Sequence, residues 1–196
     1  MKLKKIKNQD IYTTNHEIRF RRALDFIEDL IQPSDLILDL GPMNPFTKLM
    51  KEKGYKVQNT PEKMDLDFDY GIVKSNNYDV VIAFEILEHL VSPFPLLYTI
   101  KASKLFASVP LKLWFANAYW NENDPYDRHY HEFETRQFDM FLNKAGWTIL
   151  KSEKWISNSN KIGIRPLLRK FTYRHYIVYC ERNNRYNTKN KNNTGC

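Results

Sequence analysis

Two apolar runs that stop abruptly at acidic residues constrain this chain more than any other feature. Leu36-Ile37-Leu38-Asp39-Leu40-Gly41 is closed by an acid and a glycine. Tyr78-Asp79-Val80-Val81-Ile82-Ala83-Phe84-Glu85 is the second, and it runs straight into Ile86-Leu87-Glu88-His89-Leu90. Continuous apolar runs this short read as strands covered on both faces, which is the signature of a parallel sheet flanked by helices. Such a sheet opens a ligand crevice beyond the carboxyl ends of its strands. The acids and the glycine at the run ends are therefore the first residues to consider for chemistry.

The rest of the chain alternates in the same way. Thr14-Asn15-His16-Glu17 matches a capping box, and Ile18, Ala23, Phe26, Ile27 and Leu30 follow at helical spacing up to Pro33. After the first strand, Asn44 is placed to cap a helix with Pro45 at its first position, and Gly54 ends it. A short strand is expected over 55–59. Residues 61–77 are polar and carry Asp65-Leu66-Asp67-Phe68-Asp69; at most one weak strand and one helical turn are expected there. A helix opens at Ser92-Pro93, a strand covers 104–109, and Phe138, Phe141, Leu142 and Ala145 share one face of a helix that closes at Gly146. Strands over 147–155 and 175–180 are expected to pair antiparallel, with a basic turn over 165–170 between them. The alternation predicts the fold class α/β: a doubly wound, mostly parallel sheet with a terminal antiparallel strand pair and helices on both faces. Three segments are expected: an N-terminal arm and helix over 1–32, the main domain over 33–182, and a disordered Asn/Lys-rich tail over 183–196.

At 196 residues the chain suffices for one sizeable core. Its net charge of +7 invites a nucleic-acid reading. Much of the excess is terminal, however, at Lys2, Lys4, Lys5 and Lys7 and at Arg182, Arg185, Lys189 and Lys191, which weighs against a nucleic-acid footprint without removing it. The two cysteines, Cys180 and Cys196, build neither a disulfide framework nor a thiolate metal site. No signal peptide and no run of roughly 20 apolar residues is present, so the expectation is a soluble cytoplasmic protein without a membrane span.

The order of these elements, with Asp39-Leu40-Gly41-Pro42 after the first strand and Glu85-Ile86-Leu87-Glu88-His89 after the later one, resembles the class I S-adenosylmethionine-dependent methyltransferases of small-molecule type. The resemblance spans about residues 36–180. It implies the Rossmann-like form of the doubly wound sheet, S-adenosylmethionine as cofactor and a hydroxyl- or amine-bearing small or medium acceptor. It also implies that Asp39, Gly41 and Pro42 form the loop around the cofactor's methionine part, with Phe84 and Glu85 lining the same end. Motif I is degenerate here, because Pro42 and Asn44 stand at the later glycine positions. Where the family carries a ribose-binding acid, this chain has Gln58-Asn59-Thr60, which leaves Asn59 for the ribose. Asp65 and Leu66 correspond to the family's adenine loop after a third strand.

The resemblance further implies that residues 114–130, dense in Trp, Tyr, Asn and Asp, form a lid over the acceptor. His131, His129 and His89 are then the candidate bases, since an imidazole titrates near ~6.5 and can accept the acceptor's proton. Glu85, Glu88 and His89, joined by His129 or His131, also offer ligands suited to magnesium or manganese. The small-RNA 3′-end methyltransferases use a similar Glu-x-x-Glu-His-His arrangement. Leu90 replaces the second His of that motif, so no metal is expected. Two other classes remain open: an inactive methyltransferase-like binding protein, and an RNA methyltransferase assisted by metal at Glu85, Glu88 and His89.

Overall fold

The computed structural model describes residues 14–75, 77–124, 126–157 and 163–183. The basic N-terminal arm and the tail from residue 184 lie outside them. Among the described residues, six strands form one sheet in the order β2-β1-β3-β4-β6-β5. They are β1 (Leu36–Asp39), β2 (Lys56–Asn59), β3 (Val80–Phe84), β4 (Lys104–Pro110), β5 (Trp147–Ile156) and β6 (Tyr173–Arg182). The first four are parallel, while β6 runs antiparallel to both β4 and β5. The doubly wound α/β expectation and its terminal antiparallel pair are both met.

Period-2 alternation divides each central strand between two cores. Leu38, Val81, Ala83, Leu105, Ala107 and Val178 point to one face, covered by α3 (Pro93–Thr99) and α4 (Thr135–Lys144). Ile37, Val80, Ile82, Phe106 and Ile177 point to the other, covered by α1 (Thr14–Ile27) and α2 (Pro45–Glu52). Helix α1 buries Ala23, Leu24, Phe26 and Ile27 against this second core. Asn44 caps α2 as its sequence predicts: its Oδ1 accepts from Thr47 N at 3.0 Å, with Pro45 next in line.

Residues 61–75 contain no strand among those described and a one-turn 3₁₀ helix at Ile72–Lys74, within the single weak strand and helical turn expected at most. Two local expectations are corrected. The Asp65-Leu66-Asp67 run follows β2 directly instead of a third strand. Its shape comes from side chain-to-backbone bonds: Asp65 Oδ1 accepts from Asp67 N, and Asp67 accepts from Val91 N and Ser92 N ahead of α3. The basic turn at 165–170 is a short helix, α5 (Ile164–Arg169), none of whose residues is buried.

The chain enters β1, crosses to β2 at the edge, then returns past β1 to β3. The strand order thus reverses between β1 and β3, and a crevice must open where their carboxyl ends diverge. Because β6 is antiparallel, its first residues lie at that same edge, with His175 opposite Pro110.

Candidate functional site: a cleft at the carboxyl edge of the sheet

A cleft of about 200 Å³ occupies this switch point. Asp39, Phe84 and Glu85 from the ends of β1 and β3 line it, with Ser108 from β4, Ile177 from β6 and Trp155 from β5. Asn44 and Phe46 enter from α2, and His16, Arg19, Phe20 and Ala23 from α1. Aromatic walls from Phe20, Phe46, Phe84 and Trp155 face convergent polar groups from α1 and the strand ends, a make-up suited to a small-molecule site.

Asp39 is only 3% exposed, and its Oδ2 gathers three donors: Thr47 Oγ1 at 2.5 Å, Asn59 Nδ2 at 3.1 Å and Asn44 Nδ2 at 3.3 Å. Burial nevertheless pushes its carboxyl up to about 6. Gly41 follows in a left-handed conformation, φ +102°, and its N–H donates to buried Thr60 Oγ1 at 2.7 Å. A Cβ at Gly41 would press on Ile86 Cδ1 at 3.1 Å, so glycine is required both by the turn and by the close approach of the next loop.

Glu85 also has positive φ, +54°, which is unusual for a long side chain. Its N–H donates to Ser108 O at 3.0 Å, continuing the β3–β4 ladder, and the left-handed backbone at this residue marks where the chain leaves the sheet with its carboxylate at the cleft. There Oε2 meets Arg19 Nη1 at 2.8 Å and Oε1 accepts from Ser108 Oγ at 3.2 Å. His175 Nδ1, buried and without a hydrogen-bond partner, faces Glu85 Oε2 at 3.9 Å. Burial holds the imidazole down to about 4, so it is neutral at pH 7.

A second cluster lies beyond Glu85. Glu88 is buried, and burial together with the Glu85 carboxylate holds its own carboxyl well above the usual range. Its Oε1 is 3.8 Å from His89 Nε2, and its Oε2 is buried without a partner. The rings of His89 and His129 meet edge-on, 4.9 Å apart. Glu88, His89 and His129 each bring one ligand atom within 4.8 Å of the others, a spacing open to a divalent cation. Burial, then the neighbouring His129, keeps His89 below its ordinary value.

Structural comparison fits this arrangement. A 1,6-didemethyltoxoflavin-N1-methyltransferase from Burkholderia thailandensis, solved with S-adenosylhomocysteine and 1,6-didemethyltoxoflavin, superposes with TM-score 0.59 at 16% identity, over 87% of this chain and 84% of that one. An S-adenosylmethionine-dependent methyltransferase from Mesorhizobium loti gives 0.56 at 14% identity, covering 82% and 98%. The chain has the class I methyltransferase fold. The [4+2]-cyclase SpnF, at TM-score 0.55 and 12% identity over 90% and 86%, is similar as well. No family model matches the sequence, and no curated protein matches it.

Within that fold, Asp39, Phe84 and Glu85 come together at the cleft. Exposed Pro42 and buried Gly41 form the β1–α2 loop, but Asn59 is not turned outward for a ribose. Its Nδ2 is spent on Asp39, Thr47 and the carbonyls of Gly41 and Pro42, while Oδ1 is buried without a partner. Leu66 is buried in the core on the α3/α4 face, and Asp65 is exposed outside the cleft lining.

The three candidate histidines also lie outside that lining. His89 and His129 belong to the Glu88 cluster, with His129 Nδ1 at 3.2 Å from Glu132 Oε1. His131 Nε2 lies 3.1 Å from Val91 O, and its ring stacks on Phe133. Their loop is tied to the end of β3 nonetheless, because Tyr130 N and His131 N both donate to Glu88 O.

Sequence reasoning missed Arg19, His16, His175 and Trp155. One signal could have found the last two: if the terminal strands are antiparallel, the start of β6 and the end of β5 return to the carboxyl edge.

Proposed function

We propose that this chain is a methyltransferase that binds S-adenosylmethionine in the β1/β3 cleft and methylates a hydroxyl- or amine-bearing small or medium acceptor. One observation carries this reading. The carboxylates of Asp39 and Glu85, from strands on either side of the switch point, share one aromatic-walled cleft with a single guanidinium, Arg19. That is a cradle for a ligand end bearing both an ammonium and a carboxylate, and aromatic faces favour a nearby cation such as a sulfonium. When bound, S-adenosylmethionine supplies an electrophilic methyl group for in-line transfer.

The chain's own part is to position and to move one proton. Asp39 and Glu85 orient the amino-acid end, and Arg19 meets its carboxylate. Phe20, Phe46, Phe84 and Trp155 exclude water from the wall of the cleft. A neutral imidazole accepts the acceptor's proton, and His131 and His129 on the 114–133 loop, with His89 in the turn after β3, remain the proposed bases. The aromatic loop is the proposed lid over the acceptor. Because the cyclase shares the fold, methyl transfer needs its own assay beyond ligand binding.

A ligand that binds only the native state raises the melting temperature. S-adenosylmethionine or S-adenosylhomocysteine at millimolar concentration should therefore shift the parent protein, and Gly41→Val should remove the shift. No shift in the parent, with intact folding by circular dichroism, ends the proposal. An inactive binding protein would show the shift without methyl transfer to any acceptor.

A metal-assisted version is the second reading, favoured by the buried, unpartnered Oε2 of Glu88 beside two imidazoles. Manganese should then stabilise the parent but not Glu88→Gln. Equal melting temperatures with and without manganese would leave the metal-free reaction.

A further inference from the structure

We infer that the rim around α5 docks the protein on an anionic lipid bilayer, with the cleft edge turned toward the membrane. Helix α5 buries nothing, yet it carries Ile164 at 79% exposure and Leu167 at 54%, and Phe171 follows at 82%. These positions, i, i+3 and i+7, fall on one face of a helical turn and its continuation. The interleaved residues are basic: Arg165, Arg169 and Lys170, none of which is ion-paired to a described residue. No Asp or Glu occurs anywhere between Glu153 and Glu181, so nothing in this hairpin neutralises them. Exposed apolar side chains flanked by uncompensated lysine and arginine are what an interfacial segment presents to acyl chains and to anionic headgroups.

The placement strengthens the inference. α5 leads into β6, whose first residues lie at the carboxyl edge of the parallel strands, beside the cleft. Arg174 O accepts from Leu111 N at 2.7 Å, and three residues beyond Leu111 stands Trp114, 74% exposed. Exposed Tyr173 adds a second amphipathic ring. A Trp and a Tyr beside aliphatic tips, all on the edge that opens the site, match the preference of these rings for headgroup depth. A single-stranded nucleic acid fits the rim less well: its bases could stack on Phe171, Tyr173 and Trp114, but the aliphatic tips of Ile164 and Leu167 would find no apolar partner in it. If the proposed methyl transfer holds, docking in this orientation would let a membrane-dissolved acceptor enter the cleft without crossing water.

The test is flotation of the full chain with phosphatidylcholine vesicles, with and without phosphatidylglycerol, at low and high salt. Binding is expected on the anionic vesicles only, weakened by salt. It should drop by about tenfold or more in a triple Ile164→Ser, Leu167→Ser, Phe171→Ser variant and in Arg169→Glu, Lys170→Glu. All these side chains are exposed, so unchanged melting temperatures should confirm that both variants fold. Equal flotation of parent and triple variant overturns the inference, as does absence of flotation at low salt. It is also overturned if the triple variant splits a dimer in size-exclusion chromatography, or if RNA binds parent and triple variant alike. None of these outcomes depends on the cofactor, so failure here and failure of the methyltransferase reading are separable.

Discussion

Replacing Asp39 by Asn should stabilise the protein while abolishing its ligand. Asp39 is almost fully buried, and its carboxyl is raised from 3.8 to about 6 because burial outweighs the three donors on Oδ2. In the unfolded chain the group ionises near ~3.9. Ionised Asp39 therefore costs native stability, nothing below pH 4, increasingly between pH 4 and 6, and fully above about 6. The shift corresponds to about 3 kcal/mol. An Asn oxygen at the Oδ2 position would keep the bonds from Thr47, Asn44 and Asn59, and its amide would replace only Oδ1. At pH 8 the variant should then melt higher by several degrees, since about 1 kcal/mol is worth roughly 2–4 °C in a domain of this size. At pH 4 the gain should vanish. Differential scanning fluorimetry across pH 4–8 measures both, and the thermal shift with S-adenosylhomocysteine should be lost, because an amide donor would face the ligand's ammonium. A variant destabilised equally at both pH values would show that the buried carboxylate is not a strained group.

His175 should act in the opposite sense over an overlapping range. Burial depresses its pKa to about 4, so its contribution is intact above pH 6.5 and lost as pH falls toward 4; His175→Gln should flatten that part of the stability profile. In the 65–67 loop, Asp67→Ala should lower the melting temperature by removing the acceptor for Val91 N and Ser92 N, while Asp65→Ala should weaken cofactor binding by ~1–2 kcal/mol in calorimetry. Equal affinity of parent and Asp65→Ala would place the adenine elsewhere. Once an acceptor is known, His131→Ala or His129→Ala should cost ~10²–10⁴ in turnover without changing cofactor affinity. If both retain parental rates, His89→Ala is the next variant to assay.

The fold was legible because its signals are local. The apolar runs of β1 and β3 need only burial on both faces, and Asn44-Pro45 starts α2 through its own side chain and ring. Asp39, Phe84 and Glu85 were readable as residues of the sheet's carboxyl edge for the same reason: they are the points where buried strands end. Three features depended on the assembled sheet. Asn59 occupies a strand end like Asp39, yet packing of the β1–α2 loop turns its amide inward, which no spacing reveals. His129 and His131 lie two residues apart, yet one joins Glu88 and the other stacks on Phe133, because the loop leaves regular extension. Arg19 pairs with Glu85 across 66 positions of sequence, a contact created only when α1 packs on the sheet. By itself the sequence determined which strands are buried and where they stop, since hydrophobic period and capping act over a few residues. Only the tertiary structure decided which charges face the cleft, because charge placement depends on helices packed from distant parts of the chain.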